Sequence, residues 1–187
     1  MAEVEVAVMS EKKILPWRTS IWLRNAMLTK TILFLIPLFF IPFFFGGPQL
    51  LVGSIVNLLL IFVAVKYKNY YAIIPTLMLP SIATSLRGFV FGPFTIFLVY
   101  MMPAIWVGNF IFIYTIQHIK TQRLSILVGG ILKTIFLFFV AYVLIKLWIL
   151  PAIFLKAMGI FQLITVIIAG IVFVGFTKIS RYNEQKK

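Results

Sequence analysis

Long apolar runs separated by short polar loops constrain this chain more than any other feature of its sequence. Of the 187 residues, 63% are hydrophobic and 11% are charged, whereas about a quarter of the residues of a soluble domain are charged. Several runs reach the ~20 residues that a helix needs to cross a ~30 Å hydrocarbon core. Because the runs are continuous and do not alternate apolar with polar residues, they favour helices over strands. The predicted fold class is all-α, a polytopic membrane protein.

We predict six transmembrane helices packed as a compact bundle within a transmembrane domain of residues 31–177. Residues 1–30 are predicted to form a basic leader at the cytoplasmic face of the membrane, and residues 178–187 a basic cytoplasmic tail. The predicted spans are 31–45, 50–65, 71–86, 94–117, 124–150 and 157–177.

The distribution of basic residues predicts the orientation of these spans. With the N-terminus in the cytoplasm, 13 of the 17 Lys and Arg residues fall on the inner side. The opposite orientation would place those 13 outside, against the tendency of Lys and Arg to remain in cytoplasmic loops. Both termini are therefore expected in the cytoplasm, in a multi-pass protein of the plasma membrane. The residues that remain for the outer side or for membrane depth are Arg87, Lys133, Lys146 and Lys156.

Carboxylates are missing from the body of the chain, since no Asp or Glu occurs between Lys12 and Asn183. This excludes carboxylate proton relays, paired acid–base catalysts and carboxylate-held Mg²⁺ from the transmembrane region. One histidine, His118, and no cysteine leave no multi-His or thiolate metal site. The sequence also has no Gly-rich phosphate loop and no Ser/His/Asp set. We therefore expect no cofactor, no metal and no enzymatic activity.

The net charge of +13 raises the question of an acidic partner. The bases lie mostly at predicted helix ends, where they touch anionic lipid headgroups. No basic soluble domain is present to hold a nucleic acid, so we expect an anionic lipid partner and no nucleic acid.

A few polar side chains at membrane depth are the candidates for binding a ligand. Such groups are costly in hydrocarbon unless they are satisfied, so they should face the interior of the bundle. They are predicted to line one cavity that opens outward and takes a neutral or anionic small molecule with rings or apolar parts. The alternatives are lipid phosphate for Arg87, snorkelling to headgroups for Lys146, and helix–helix hydrogen bonds for the amides. The candidate contacts are Arg87, Asn57, Gln162, Lys146 and Asn109.

Lys133 lies too deep in its predicted span to snorkel comfortably. A hydrogen bond to a carbonyl or to Asn109 is one interpretation, because no acid is available to pair with it. Gating on the inner side or contact with a partner is the other. Ala104 and Gly108 form a small-xxx-small pair on one helix face, which permits close approach of another helix.

Four stretches of the sequence resemble the substrate-binding S components of energy-coupling factor (ECF) transporters. They are GSIVNLLLIFVAV at 53–65, PSIATSLRGFVFGPF at 80–94 continuing to PAIWVGN at 103–109, GGILKTIFLF at 129–138, and MGIFQLIT at 158–165. The resemblance implies a six-helix subunit that captures a vitamin or related micronutrient. It also implies docking on a membrane T component driven by two cytoplasmic ATPases.

Two other function classes remain open from the sequence. The chain could be a structural or assembly protein, a chaperone or complex subunit whose Arg87 and Lys133 meet partner helices or lipid. A lipid-acting enzyme is disfavoured by the missing acids and by the lone His118.

Overall fold

The computed structural model describes residues 33, 35–45, 48–68, 70–88 and 92–185. The predicted leader 1–30 and the last two residues of the predicted tail lie outside this portion of the chain. Within it, all regular structure is helical, as the apolar runs predict, and no strand is present. The helices are α1 (Leu35–Phe44), α2 (Gln49–Lys66), α3 (Tyr70–Arg87), a 3₁₀ helix (Gly92–Phe97), α4 (Leu98–His118), α5 (Gln122–Lys146), α6 (Ile153–Met158) and α7 (Ile160–Gln185).

Four helical segments among the described residues are long and apolar enough to cross a membrane. They are Gln49–Lys66, Thr95–His118, Gln122–Lys146 and Ile153–Ser180. Two shorter apolar helices accompany them, Leu35–Phe44 and Ala72–Arg87. Their length and composition are those of a multi-pass membrane protein.

The four long segments form the core of the bundle. α4 packs along α5, α2 packs along α7, and α5 also contacts α7, while α3 lies against α4. Many large apolar side chains remain exposed on the outside, among them Phe139 and Ile171. Such a surface is suited to lipid chains, which are as apolar as leucine.

Two prolines lie inside α3, and a glycine follows its last residue. Pro75 and Pro80 lie inside the helix, and each removes one backbone donor from its ladder. Gly88 follows the last residue with φ of 74°, and its N–H bonds the carbonyl of Thr84 at 3.2 Å. Glycine adopts this left-handed conformation without steric cost, so the helix ends there.

The predicted span 124–150 is longer than the helix, because α5 ends at Lys146. Trp148 has φ of 60° and donates its N–H to Ile145, while the N–H of Ile149 bonds Leu144. These two bonds form the reverse turn that commonly closes a helix. Leu150 is buried beyond the turn, whereas the Trp148 side chain is 96% exposed. At the other end of the chain, α7 continues to Gln185, through most of the predicted tail.

Candidate functional site

A layer of polar side chains crosses the interior of the bundle between two apolar clusters. One cluster includes Leu60, Phe112 and Ile126, and the other includes Met101, Leu137 and Phe154. The residues between them are contributed by α2, α4, α5 and α7, and all are buried. We call this set the polar layer: Asn57, Asn109, Lys133 and Thr165.

A continuous chain of hydrogen bonds joins three helices through the polar layer. Lys133 Nζ donates to Asn57 Oδ1 at 2.7 Å, and Asn57 Nδ2 donates to Thr165 Oγ1 at 2.9 Å. The Thr165 hydroxyl donates in turn to the backbone carbonyl of Gln162 at 2.8 Å. Each group donates to the next, so each bond polarises its neighbour in the same direction. The chain ties α5, α2 and α7 together at one level.

Lys133 lies at mid-depth in its helix, about 17 Å from Gln122 by helical rise. Its side chain is 3% exposed, and a charged group at the centre of a membrane helix costs roughly 2.5–3.5 kcal/mol. The hydrogen bond to Asn57 and the face of the Phe112 ring, 5.4 Å from Nζ, offset part of that cost. An ammonium has three N–H donors, and Asn57 is its one hydrogen-bond acceptor among the residues that the structure describes. Lys133 therefore retains donor capacity.

Asn109 and Trp106 bind α4 to α3 beside this network. Asn109 Nδ2 donates to the carbonyl of Leu77 at 3.1 Å, and Trp106 Nε1 donates to Ser81 Oγ at 2.8 Å. The side-chain carbonyl of Asn109 accepts no bond from any residue that the structure describes. Asn109 Oδ1 can therefore accept a further hydrogen bond, and Lys133 Nζ can donate further ones. Both side chains line the same cavity.

The polar layer borders a cavity of about 90 Å³, which we call the Lys133 cavity. A single water needs ~10–15 Å³ of such volume, so the cavity has room for more than one water or a small solute. It is smaller than the roughly 300–1,000 Å³ of pockets that enclose drug-sized ligands. Its lining is Gln49, Val52, Gly53, Val56, Asn57, Pro80, Ser81, Thr84, Leu98, Ile105, Asn109, Lys133, Met158 and Gln162.

Two glutamines line the cavity between the polar layer and the end of the bundle where α2 begins. Gln49 Nε2 donates to the carbonyl of Ala157 at 3.0 Å, which joins the start of α2 to α6. The side-chain amide of Gln162 bonds no residue of the described ranges. It can therefore donate to or accept from a solute in the cavity.

Arg87 and Lys146 lie apart from the Lys133 cavity. Arg87 donates through Nη1 to the carbonyl of Phe43, near the C-terminus of α1. The last carbonyls of a helix lack intrahelical partners and carry partial negative charge, so a guanidinium suits them. Lys146 is exposed at the end of α5, with its Nζ 5.6 Å from the centre of the Tyr142 ring. Neither side chain belongs to the described lining, which brings Asn57, Asn109 and Gln162 together with Lys133.

Ala104 and Gly108 make their close contact inside the chain. Both are buried on α4, and a Cβ built on Gly108 would lie 3.1 Å from Leu137 Cγ of α5. Ala104 belongs to the same apolar cluster as Leu137. The small pair lets α4 and α5 approach one another.

Sequence reasoning missed Thr165, Gln49 and Trp106 as members of the site. Thr165 follows Gln162 by three residues and therefore shares its helix face, which is a signal present in the sequence. Gln49 and Trp106 carry no comparable signal, since their roles depend on how α2 meets α6 and how α3 meets α4.

Comparison with known proteins adds no family to this description. No family model, curated protein or solved structure matches the chain.

Proposed function

We propose that this chain is a membrane-embedded capture subunit that binds a small organic solute in the Lys133 cavity. The observation that carries the proposal is the buried Lys133 side chain, whose Nζ has unused donor capacity in a cavity that Asn109 and Gln162 also line. A buried cation without a carboxylate partner complements an anionic group. The solute class that fits is a small organic anion, with Lys133 bound to its charge and the amides bound to its polar edge.

The size of the cavity limits how such a solute is bound. A vitamin or related micronutrient of ordinary size requires the cavity to widen beyond its present ~90 Å³. The lining comes from several helices and from the short α6, so a small displacement of α6 and the start of α2 would enlarge it. The apolar lining side chains, such as Ile105 and Met158, would then contact the apolar portion of the solute.

Uptake of a captured solute needs energy that this chain's motifs do not supply, because the 187 residues include no Gly-rich phosphate loop. The proposal therefore includes partner chains: a membrane T component and two cytoplasmic ATPases of the ECF type. This part of the proposal rests on the resemblance of the four apolar stretches to ECF S components. The proposed topology is six spans in the plasma membrane with both termini in the cytoplasm, which turns the Gln49 end of the cavity outward.

Mass spectrometry of the purified protein tests the proposal directly. We expect a small organic molecule to be released from wild-type protein on denaturation, and to be lost from Lys133→Met. Gln162→Leu should weaken its retention without unfolding the bundle, because the Gln162 amide makes no hydrogen bond to the residues that the structure describes. Trp106, which bonds the cavity residue Ser81, gives a fluorescence signal for rebinding once Trp17, Trp22 and Trp148 are replaced by Phe.

Lys146→Met is the matched control, because it removes a lysine of the same helix outside the cavity. It should retain the molecule as the wild type does. Extracts that contain lipid alone from wild-type protein, or equal retention by Lys133→Met and wild type, would contradict the proposal.

A second candidate is a structural or assembly protein, and the hydrogen bonds of Arg87 and Lys133 favour it. Both cations hold helices of this chain together, Arg87 through Phe43 and Lys133 through Asn57. Lys133 is interior, so a partner helix would reach it only if the bundle opened. Stable copurification with a membrane complex that lacks an ATPase, and with no small molecule retained, would favour this candidate.

A further inference from the structure

A second concave surface lies on the lipid-facing side of the bundle, between the first turns of α5 and the middle of α7. It is a groove of about 520 Å³ with an apolar floor. The lining side chains recur at helical spacing over about three turns of α7, and one turn of α5 faces them. We call it the α5–α7 groove, and it is lined by Arg123, Ile126, Leu127, Val166, Ile167, Gly170, Ile171, Val174 and Lys178.

Two cations mark one end of the groove. Arg123 lies in the first turn of α5, and Lys178 lies toward the C-terminus of α7, and both are exposed. The sequence places no Asp or Glu between Lys12 and Asn183, so no carboxylate from α2, α4, α5 or the body of α7 can neutralise them. The nearest carboxylate in the sequence is Glu184, six residues after Lys178.

The dimensions of the groove match one leaflet of a bilayer. From Val166 to Lys178 is twelve residues, or about 18 Å of helix, and half of the hydrocarbon core is about 15 Å. An apolar trough of this length with a cationic end complements a phospholipid in both shape and charge. A phospholipid bound here would place an acyl chain along the trough and its phosphate near the guanidinium of Arg123 and the ammonium of Lys178.

We propose that the α5–α7 groove is a binding site for one anionic phospholipid, with its headgroup at Arg123 and Lys178. The site is separate from the Lys133 cavity, so it does not depend on the function proposed above. The charge of the groove end selects the headgroup, and the walls select a lipid over a water-soluble phosphate.

Native mass spectrometry of delipidated protein titrated with phosphatidylglycerol or phosphatidylcholine tests the site. We expect wild-type protein to bind phosphatidylglycerol at least about tenfold more tightly, since each base near an anionic headgroup contributes about fivefold. The double variant Arg123→Gln/Lys178→Gln should bind both lipids equally. The control Lys146→Gln/Lys156→Gln removes two exposed bases outside the groove and should keep the preference.

A pair of isoleucine variants tests the apolar wall independently of charge. Ile171→Trp places a large ring in the groove from a position that is 68% exposed, and should weaken binding of the lipid severalfold. Ile168→Trp is the control, on the same helix but outside the groove lining. The proposal is overturned if wild-type protein shows no preference for phosphatidylglycerol, if the preference survives in Arg123→Gln/Lys178→Gln, or if both tryptophan variants behave alike. A protein chain retained on this face in place of lipid would also overturn it.

Discussion

Lys133 and Asn57 form a buried pair in which each partner depends on the other. Asn57 offers its carbonyl to Lys133 and its amide N–H to Thr165, so it must be oriented with Oδ1 toward α5. Removal of either member therefore leaves the other buried without its hydrogen-bond partner. A buried charge without a partner lowers the free energy of unfolding more than a buried amide without a partner does.

The two single substitutions should differ in cost, and the double substitution should recover some of it. We expect Asn57→Leu to lower the free energy of unfolding by roughly 3–5 kcal/mol, because it leaves an ammonium without its acceptor. Lys133→Met should cost about 1–3 kcal/mol, the penalty of an unsatisfied amide oxygen. The measurement is thermal or denaturant unfolding in one detergent.

Asn57→Leu/Lys133→Met completes this cycle. It should be less destabilised than the sum of the single variants by about 1–3 kcal/mol, as expected for residues in contact. Additive costs would show that Asn57 and Lys133 do not stabilise one another.

At the residue scale, the sequence identifies which groups are buried but not which groups meet. Asn57, Asn109, Gln162 and Lys133 are predicted as interior polar groups because hydrocarbon cannot satisfy them, and all four line one cavity. The partner predicted for Lys133 is a carbonyl or Asn109, whereas the structure has Asn57. The choice between two amides depends on the rotation of α2 and α4 about their axes, which nearly uniform apolar sequences do not reveal.

The helices pack closely where glycine removes a side chain. A Cβ built on Gly130 of α5 would clash with Val166 Cγ1 of α7, whereas one built on Gly175 of α7 meets nothing within 4 Å. Small residues let membrane helices gain dispersion contacts that larger residues prevent. A side chain added at Gly130 would therefore collide with α7, whereas one added at Gly175 would enter open space.

Gly130→Ala should destabilise the bundle and Gly175→Ala should not. We expect a loss of about 1–3 kcal/mol for the first, since an added methyl must displace Val166, and a gain of up to about 1 kcal/mol for the second from helix propensity. Thermal melting of both variants in the same detergent measures this. Equal melting temperatures would mean that α5 and α7 are not in contact at Gly130.

At the element scale, helix bounds follow from apolar length and from turn residues. The predicted spans 50–65 and 71–86 differ from α2 and α3 by about one residue at each end. The prediction extends too far at 124–150, because the apolar run continues through a turn closed by backbone bonds around Trp148. Tryptophan at a left-handed position is not a turn signal, since this conformation usually selects glycine. For α7 the prediction ends too early, because the polar residues after 177 remain helical.

On the scale of the whole molecule, the electrostatics depend on the absence of Asp and Glu between Lys12 and Asn183. Within this stretch the partners available to a cation are carbonyls, amides, hydroxyls and aromatic rings. Arg87 and Lys133 use the first two of these, and Lys146 lies over a ring. This lack of carboxylates is consistent with the anionic solute proposed for the Lys133 cavity and with the anionic phospholipid proposed for the α5–α7 groove.

The absence of cysteine from the sequence makes the proposed topology testable by single-cysteine labelling. With both termini in the cytoplasm, Trp148→Cys and Ala152→Cys should react with a membrane-impermeant maleimide in intact cells. Lys68→Cys and Lys120→Cys should react only after permeabilisation, because they occupy loops predicted to be cytoplasmic. The readout is the labelled fraction on a gel.

Wild-type protein is the unreactive control in this assay. The reverse pattern of labelling would show that the orientation is opposite to the predicted one. Labelling of all four sites in intact cells would contradict the predicted crossing of α5, which lies between Lys120 and Trp148.

The bond from Gln49 to the carbonyl of Ala157 closes the gap between the start of α2 and α6 at one end of the Lys133 cavity. A solute that entered between the start of α2 and α6 would break this neutral amide–carbonyl bond, which contributes a net stabilisation of about 0.5–1.5 kcal/mol. A hydrogen bond of this strength would slow the entry of a solute by a factor of about ten or less. The residence time of the proposed solute would then depend mainly on its bonds to Lys133 and the amides.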